Sequence, residues 1–224
     1  MLITKLKQIT RNTPILNNIA YRSRYAYRSF RGKNELSKLL KETAAPYIVI
    51  GCDETSFDGW INTDIETLDL LKPEDWEPFF SEKPIAAILA EHVWEHLTPE
   101  EGVTAAATCY RFLKPGGYVR AAVPDGNHPD PKYIEQVKIG GTGHSAHDHK
   151  VLYTVDTFCQ TFQKAGFEVQ PLEYFDQNGN FHHEPWVTED GYIRRSLEHD
   201  PRNKDGRTNY SSIILDAVKP KTPK

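Results

Sequence analysis

The chain has 224 residues, of which 38 % are hydrophobic and 26 % charged, with a formal net charge of −4. That balance is globular, which excludes a disordered chain, and no apolar run approaches the ~18 residues that a membrane span needs. The three cysteines, Cys52, Cys109 and Cys159, are odd in number and far apart, so they form no metal or disulfide pattern and a reducing cytoplasmic setting is expected.

The charge is unevenly spread. Residues 1–45 carry ten Lys/Arg against Glu35 and Glu42, a net +8, and 46–224 carry −12. A basic helical arm, 1–45, therefore precedes an acidic domain, 46–224. The arm lacks the apolar h-region of a signal peptide and carries Tyr21, Tyr25, Tyr27 and Phe30 among its arginines. Such a segment suits four uses: peripheral contact with an anionic membrane, contact with a phosphate-bearing substrate, docking on the acidic body, or a solvated helix on its own domain. Nucleic acid is disfavoured as a partner because the body would repel its phosphates. Residues 1–43 read as two short helices broken near Asn12-Thr13-Pro14 and Arg31-Gly32.

Tyr47-Ile48-Val49-Ile50, ending at Gly51, is a continuous apolar run, the mark of a strand buried on both faces. Gly59-Trp60-Ile61-Asn62-Thr63-Asp64 reads as a second strand closing on an acid, followed by irregular chain with a short helix around Pro73 to Phe80. Ile85–Ala90 is the next strand and delivers Glu91-His92-Val93-Trp94-Glu95-His96 at its carboxyl end. A helix opens at Thr98-Pro99-Glu100-Glu101, with a capping threonine, proline in the first turn and acids facing the helix dipole. It runs to about Leu113, a Pro115-Gly116-Gly117 turn stops it, and Tyr118–Val123 is a strand. Residues 124–153 read as a long polar loop, of a length more often functional than accidental. Asp156–Ala165 is a helix stopped by Gly166, and Phe167–Phe175 and Ser211–Lys219 are the last strands, flanking a polar insertion, 176–210. The alternation predicts an α/β fold with a mostly parallel sheet and an antiparallel edge. Only eight residues separate Gly51 from Trp60, so the first crossover helix must be shortened, since a full one needs about a dozen.

The ordered set of Gly51, Asp64, Glu91–His96 and Leu113-Lys114-Pro115-Gly116-Gly117 resembles class I S-adenosylmethionine (SAM)-dependent methyltransferases over about 46–219. It looks most like small bacterial proteins with a Gly-Trp-Ile-Asn-x-Asp second strand, a group that shares the short crossover. The resemblance implies a Rossmann-like fold, SAM as cofactor and no metal. It places Gly51, Cys52 and Asp53 around the methionine part of SAM and Asp64 on the ribose hydroxyls. Ala90, Glu91 and His92 would then lie beside the transferred methyl. Asp53 stands where the family usually has a second glycine; it would either bind the α-amino group or obstruct it.

Other residues complete the expected site. The loop Gly140–His149 gathers His144, His147 and His149 with Asp148, and a histidine supplies a base of near-neutral pKa. We expect His147 or His149 to act as that base with Asp148 in support, and Asp125, His128 and His144 to line the acceptor pocket. The 176–210 insertion, with Phe181-His182-His183-Glu184-Pro185-Trp186, either caps that pocket or covers a sheet edge. The expected activity is methyl transfer to an oxygen or nitrogen of a small-molecule, saccharide or glycolipid acceptor. Two alternatives stand beside it. One is a methyltransferase-like binding module that has lost SAM. The other is a zinc hydrolase, because His92-Val93-Trp94-Glu95-His96 matches His-x-x-Glu-His, which on a helix puts both histidines on one face with Glu95 as base. Otherwise Glu95-His96 braces the loop from within.

Overall fold

The computed structural model describes residues 14–52, 57–203 and 207–221. Asn12, Thr13 and Asp53, and the expectations that fall on them, lie outside the described residues. Helix α1, Pro14–Leu39, is continuous, so the expected break at Arg31-Gly32 does not occur. Gly32 serves contact instead: a Cβ there would stand 2.0 Å from Thr67 Oγ1. One glycine inside a helix costs only about 1 kcal/mol, and here it lets the helix lie directly on the chain below. Acidic residues of the body receive α1, with Arg28 at 3.1 Å from Glu66 and Lys33 at 2.6 Å from Asp75. Leu36 and the following Leu40 are buried in the main core. Each such leucine contributes about 1.5–3 kcal/mol relative to an exposed position, more than the exposed Arg28 pair. Among the described residues, no helix is long and apolar enough to cross a membrane.

A seven-stranded sheet is built from β1 Tyr47–Ile50, β2 Ile61–Thr63, β3 Ile85–Glu91, β4 Leu113–Pro124, β5 Glu168–Phe175, β6 Phe181–His183 and β7 Ser212–Val218. Its order is β2-β1-β3-β4-β7-β5-β6. The pairs β1/β2, β1/β3 and β3/β4 are parallel. Strand β7 is antiparallel to both β4 and β5, and the short edge strand β6 is antiparallel to β5. The sheet thus has the expected antiparallel edge and, in addition, an antiparallel strand in its interior. The Pro115-Gly116-Gly117 segment falls inside β4, as a shift of register between the Ile85–Leu113 and Ala87–Tyr118 pairs.

The two faces of the sheet are covered differently. Alternate residues Ile48, Ile50, Ile88, Ala121, Val123 and Ile213 face one core. It is closed by α1, α2 Pro73–Phe80, α3 Pro99–Phe112 and α5 Val155–Lys164. The intervening residues Val49, Leu89, Ala122 and Ile214 face a smaller core with Ile193, Trp186, Phe57 and Trp60. Among the described residues, no helix contributes to that second core. The insertion takes the place of crossover helices there, which is why a short β1–β2 link is tolerated.

Polar side chains pin the insertion to this face. Arg120 of β4 is buried and pairs with Asp216 of β7 through two bonds of 2.8 Å. Its Nη1 also donates to the carbonyls of Val187 and Gly191. Glu173 of β5, fully buried, accepts from Trp186 Nε1 and Leu197 N, both at 2.8 Å.

The expected loop over 124–153 contains α4, Pro131–Val137. Asp130 caps it by accepting from Lys132 N, and Pro131 fills the first turn. The Asp-Pro pair is a helix-start signal, overlooked because the segment is so polar. The chain from 140 to 146 folds back on α4 through Thr142 N to Glu135 O and Gly143 N to Gln136 O.

Candidate active site

Because β2, β1 and β3 are parallel neighbours, their carboxyl ends open on one edge. There a cleft of about 870 Å³ is lined by Gly51 and Cys52 after β1 and by Glu91, His92, Glu95 and His96 after β3. Gln136, Val137, His144, Ser145 and His149 border it from the α4 region, and Arg194, Arg195, Arg202 and Tyr210 from the insertion. Its size suits a cofactor or small-molecule ligand.

Gly51 has φ +63°, and a Cβ there would meet Val93 Cγ2 at 2.8 Å. Only glycine takes this conformation without strain while lying against the β3 loop. Asp64 follows β2 at the same edge, where its carboxylate accepts from Ile65 N at 2.9 Å; it does not line the cleft.

Glu91 lines the cleft, with its carboxylate already engaged. Its oxygens accept from Arg194 N and Arg195 N, each at 3.0 Å, and from Arg195 Nη1 at 3.0 Å. It therefore straps the insertion across the strand ends.

The segment after Glu91 is not a regular helix. His92 has φ +58°, a left-handed turn that is rare for a side-chain-bearing residue, and Trp94–His96 forms one 3₁₀ turn. Buried Trp94 holds that turn, packed 5.0 Å from Phe162 and donating to Gly102 O. The helical pairing of His92 with His96, on which the zinc-hydrolase alternative depends, is thereby broken. His92 Nε2 lies 3.0 Å from Ser212 Oγ and Nδ1 lies 3.0 Å from Glu95 Oε1, and burial lowers its pKa well below the ordinary value. Burial thus favours the neutral ring.

Glu95 is 1 % exposed, and neither of its carboxylate oxygens has a hydrogen-bond partner. His92 Nδ1 is close to Oε1 but off the line that a ring N–H requires. Burial pushes the Glu95 carboxyl up to about 7. The backbone carbonyl of Glu95 accepts from Lys150 N at 2.8 Å, which ties this turn to the histidine loop. Glu95, His96 and His149 thereby come together, with one potential ligand atom from each lying within 4.8 Å of the others.

The histidine loop divides. His149 is buried in the cleft wall, with Nδ1 2.8 Å from Val137 O. A carbonyl only accepts, so Nδ1 carries a proton, and in the neutral ring the lone pair is on Nε2. His144 borders the cleft beside Ser145, 3.1 Å away. His147 is exposed and does not line the cleft. Asp148 faces His96, whose Nδ1 is 3.4 Å from both its Oδ2 and its carbonyl oxygen, rather than either neighbouring histidine.

Asp125 and His128 are also placed away from the cleft. Asp125 is fully buried and accepts from Asn127 N and Phe175 N; burial raises its carboxyl to about 6. His128 bonds to Thr208 O and Asp130 N and stacks 4.0 Å from Tyr133. Both tie the turn after β4 to β5 and the insertion. Sequence reasoning missed Arg194, Arg195 and Arg202. The one local signal was Ile193-Arg194-Arg195, an apolar anchor followed by two cations inside a polar stretch.

A family model for a methyltransferase domain matches residues 24–172. Similar solved structures include a SAM-dependent methyltransferase from Archaeoglobus fulgidus, at 14 % identity over 84 % of this chain and 92 % of that chain, with TM-score 0.45. One from Anabaena variabilis has 13 % identity over 78 % and 75 %, with TM-score 0.44. Phosphoethanolamine N-methyltransferase 2 of Haemonchus contortus, in complex with SAM, has 14 % identity over 84 % and 52 %, with TM-score 0.41. Among curated proteins none matches the sequence significantly. By its family match and by a sheet whose parallel β2-β1-β3-β4 half continues into an antiparallel strand before β5, the chain belongs to the class I SAM-dependent methyltransferase family.

Proposed function

We propose that the chain methylates an oxygen of a small acceptor, a saccharide or another hydroxylated metabolite, in the cleft at the carboxyl ends of β1 and β3. The observation that carries this reading is that two sets of groups line one cleft. One is the Gly51–Cys52 end of β1; the other is the Glu95, His96 and His149 cluster. The first suits a ligand that must approach backbone closely, with Asp64 at the same edge to accept ribose hydroxyls. The second suits deprotonation of a nucleophile.

SAM supplies a methyl group made electrophilic by its sulfonium. In that transfer the oxygen–carbon bond would form as the carbon–sulfur bond breaks with its electron pair on sulfur, and the hydroxyl proton would pass to a base in the cleft wall. The chain's own share is alignment and proton removal. Gly51 and the Glu91-strapped insertion would position the reactants, and His149, in the cleft wall, would accept the proton. The exposed Tyr21, Tyr27 and Phe30 of α1, beside Arg24 and Arg31, support peripheral contact with anionic lipid as a way to reach a membrane-bound acceptor.

Calorimetry of the full chain with S-adenosylhomocysteine and SAM tests the reading. One site of micromolar affinity is expected. No heat and no thermal shift at millimolar ligand would overturn it and leave the non-catalytic binding module.

A further inference from the structure

We infer that Glu95, His96 and His149 form a binding site for one divalent first-row transition cation, with its open positions facing the acceptor side of the cleft. Three observations carry this. The first is convergence: one ligand atom from each residue falls within 4.8 Å of the other two, although His149 comes from a separate loop. The second is the state of Glu95. Its carboxyl group is buried with no aligned hydrogen bond on either oxygen; His92 Nδ1 lies 3.0 Å from Oε1 but off the hydrogen-bond line. A buried charge is ordinarily paired or coordinates a metal, and an unpaired one is costly.

The third is the arrangement around the rings. The Nδ1 of His149 donates to Val137 O, and the Nδ1 of His96 faces Asp148, whose two nearby oxygens only accept. Each Nδ1 is thus held on an acceptor, so in the neutral rings Nε2 is the nitrogen with the lone pair. Metal-ligating histidines are held in this way, with the second nitrogen on a carbonyl or carboxylate. The rings stand 5.1 Å apart and nearly perpendicular, so they are not stacked on one another. Two imidazoles and one carboxylate suit Zn²⁺, Co²⁺, Mn²⁺ or Fe²⁺ and disfavour Mg²⁺ and Ca²⁺, which take oxygen ligands.

The role of the cation rests on the methyltransferase reading. Three protein ligands leave positions for acceptor oxygens. A coordinated hydroxyl would lose its proton more readily, to water in the open cleft, so the cation would replace the His149 ring as the activating group. An acceptor with two adjacent oxygens, such as a vicinal diol of a saccharide, would then be held at both.

The site is tested without SAM, so that its failure is separate from failure of cofactor binding. Untagged full-length protein is stripped with a chelator and titrated with Zn²⁺, Co²⁺ and Mg²⁺ by calorimetry, and the Co²⁺ complex is followed by its visible absorption. One equivalent of Zn²⁺ or Co²⁺ should bind, at least 100-fold more tightly than Mg²⁺. Glu95→Gln and His149→Ala should each weaken Co²⁺ binding at least 100-fold and abolish the visible bands. Asp148→Ala should weaken it about 10-fold through His96, and His147→Ala, on the exposed part of the loop, should change nothing. Circular dichroism of each variant confirms the fold. Absence of stoichiometric binding to the wild type overturns the inference. So does equal affinity in a folded Glu95→Gln variant, or a loss in His147→Ala as large as in His149→Ala.

Discussion

Glu91→Gln isolates the strap that holds the insertion over the cleft. Glu91 accepts three hydrogen bonds of 3.0 Å, two from the main chain at Arg194 and Arg195 and one from the Arg195 guanidinium. Hydrogen bonds to a charged group contribute about 1.5–3 kcal/mol each. The glutamine keeps one acceptor oxygen and turns the other into an amide NH₂, which must face an N–H donor. At least one backbone N–H loses its partner and a second contact becomes neutral. The Arg195 ion pair is discounted because its side chain is 29 % exposed. The net expectation is about 3 kcal/mol off the local stability of the strap, close to a 100-fold rise in its opening. Native-state hydrogen exchange by NMR reads this directly. The Arg194 and Arg195 amides should lose about two decades of protection while Ile88 and Val119, at the centre of the sheet, change little. Unchanged protection at the two arginine amides would refute the strap. A uniform loss across all four would show that Glu91 stabilises the whole domain instead.

Two more outcomes are expected of the polar groups under the insertion. Arg120→Met leaves Asp216 unpaired and strips a donor from the Val187 and Gly191 carbonyls, so about 3–5 kcal/mol of stability should be lost in urea unfolding; a change under about 0.5 kcal/mol would mean that the pair anchors nothing. Asp125 should impose a pH dependence of the opposite sign to the usual carboxylate. Burial raises its folded pKa to about 6, so its contribution is fully present below the unfolded value of 3.8 and is lost as pH rises through 6. That is about 3 kcal/mol across the interval. The stability of wild type relative to Asp125→Asn, from thermal unfolding at pH 4, 5.5 and 7, should therefore fall as pH rises. A flat difference would contradict the raised pKa.

The strands were legible because their residues are apolar in unbroken runs: Ile48–Ile50 and Ile85–Ala90 are buried, though Tyr47 at the start of its run is exposed, and the polar residues directly after each run lie at the edge of the cleft. The α3 start was legible from Thr98, Pro99 and Glu101, and the structure has the reciprocal capping box there. Arg120 and Asp216 each interrupt an apolar strand, and their pairing was not legible because spacing alone does not match β4 with β7, which are far apart in the chain. Arg31-Gly32 misled because a glycine that permits close helix approach reads the same as one that ends a helix.

Local sequence determined the strand periods, the helix caps and the turn glycines, since each is set by contacts within a few residues. It thereby determined the fold class, the short first crossover and the edge at which Gly51, Asp64 and Glu91 gather. Packing alone decided where the polar side chains point. His92 left the helix that its motif suggests because Trp94 is pulled into the core beside Phe162. His149, rather than His147, entered the cleft because Lys150 N bonds back to Glu95 O. The insertion became a wall of the cleft because Arg120, Glu173 and Glu91 reach it from three different strands. Such contacts join residues far apart in the chain, and no local period or composition encodes them.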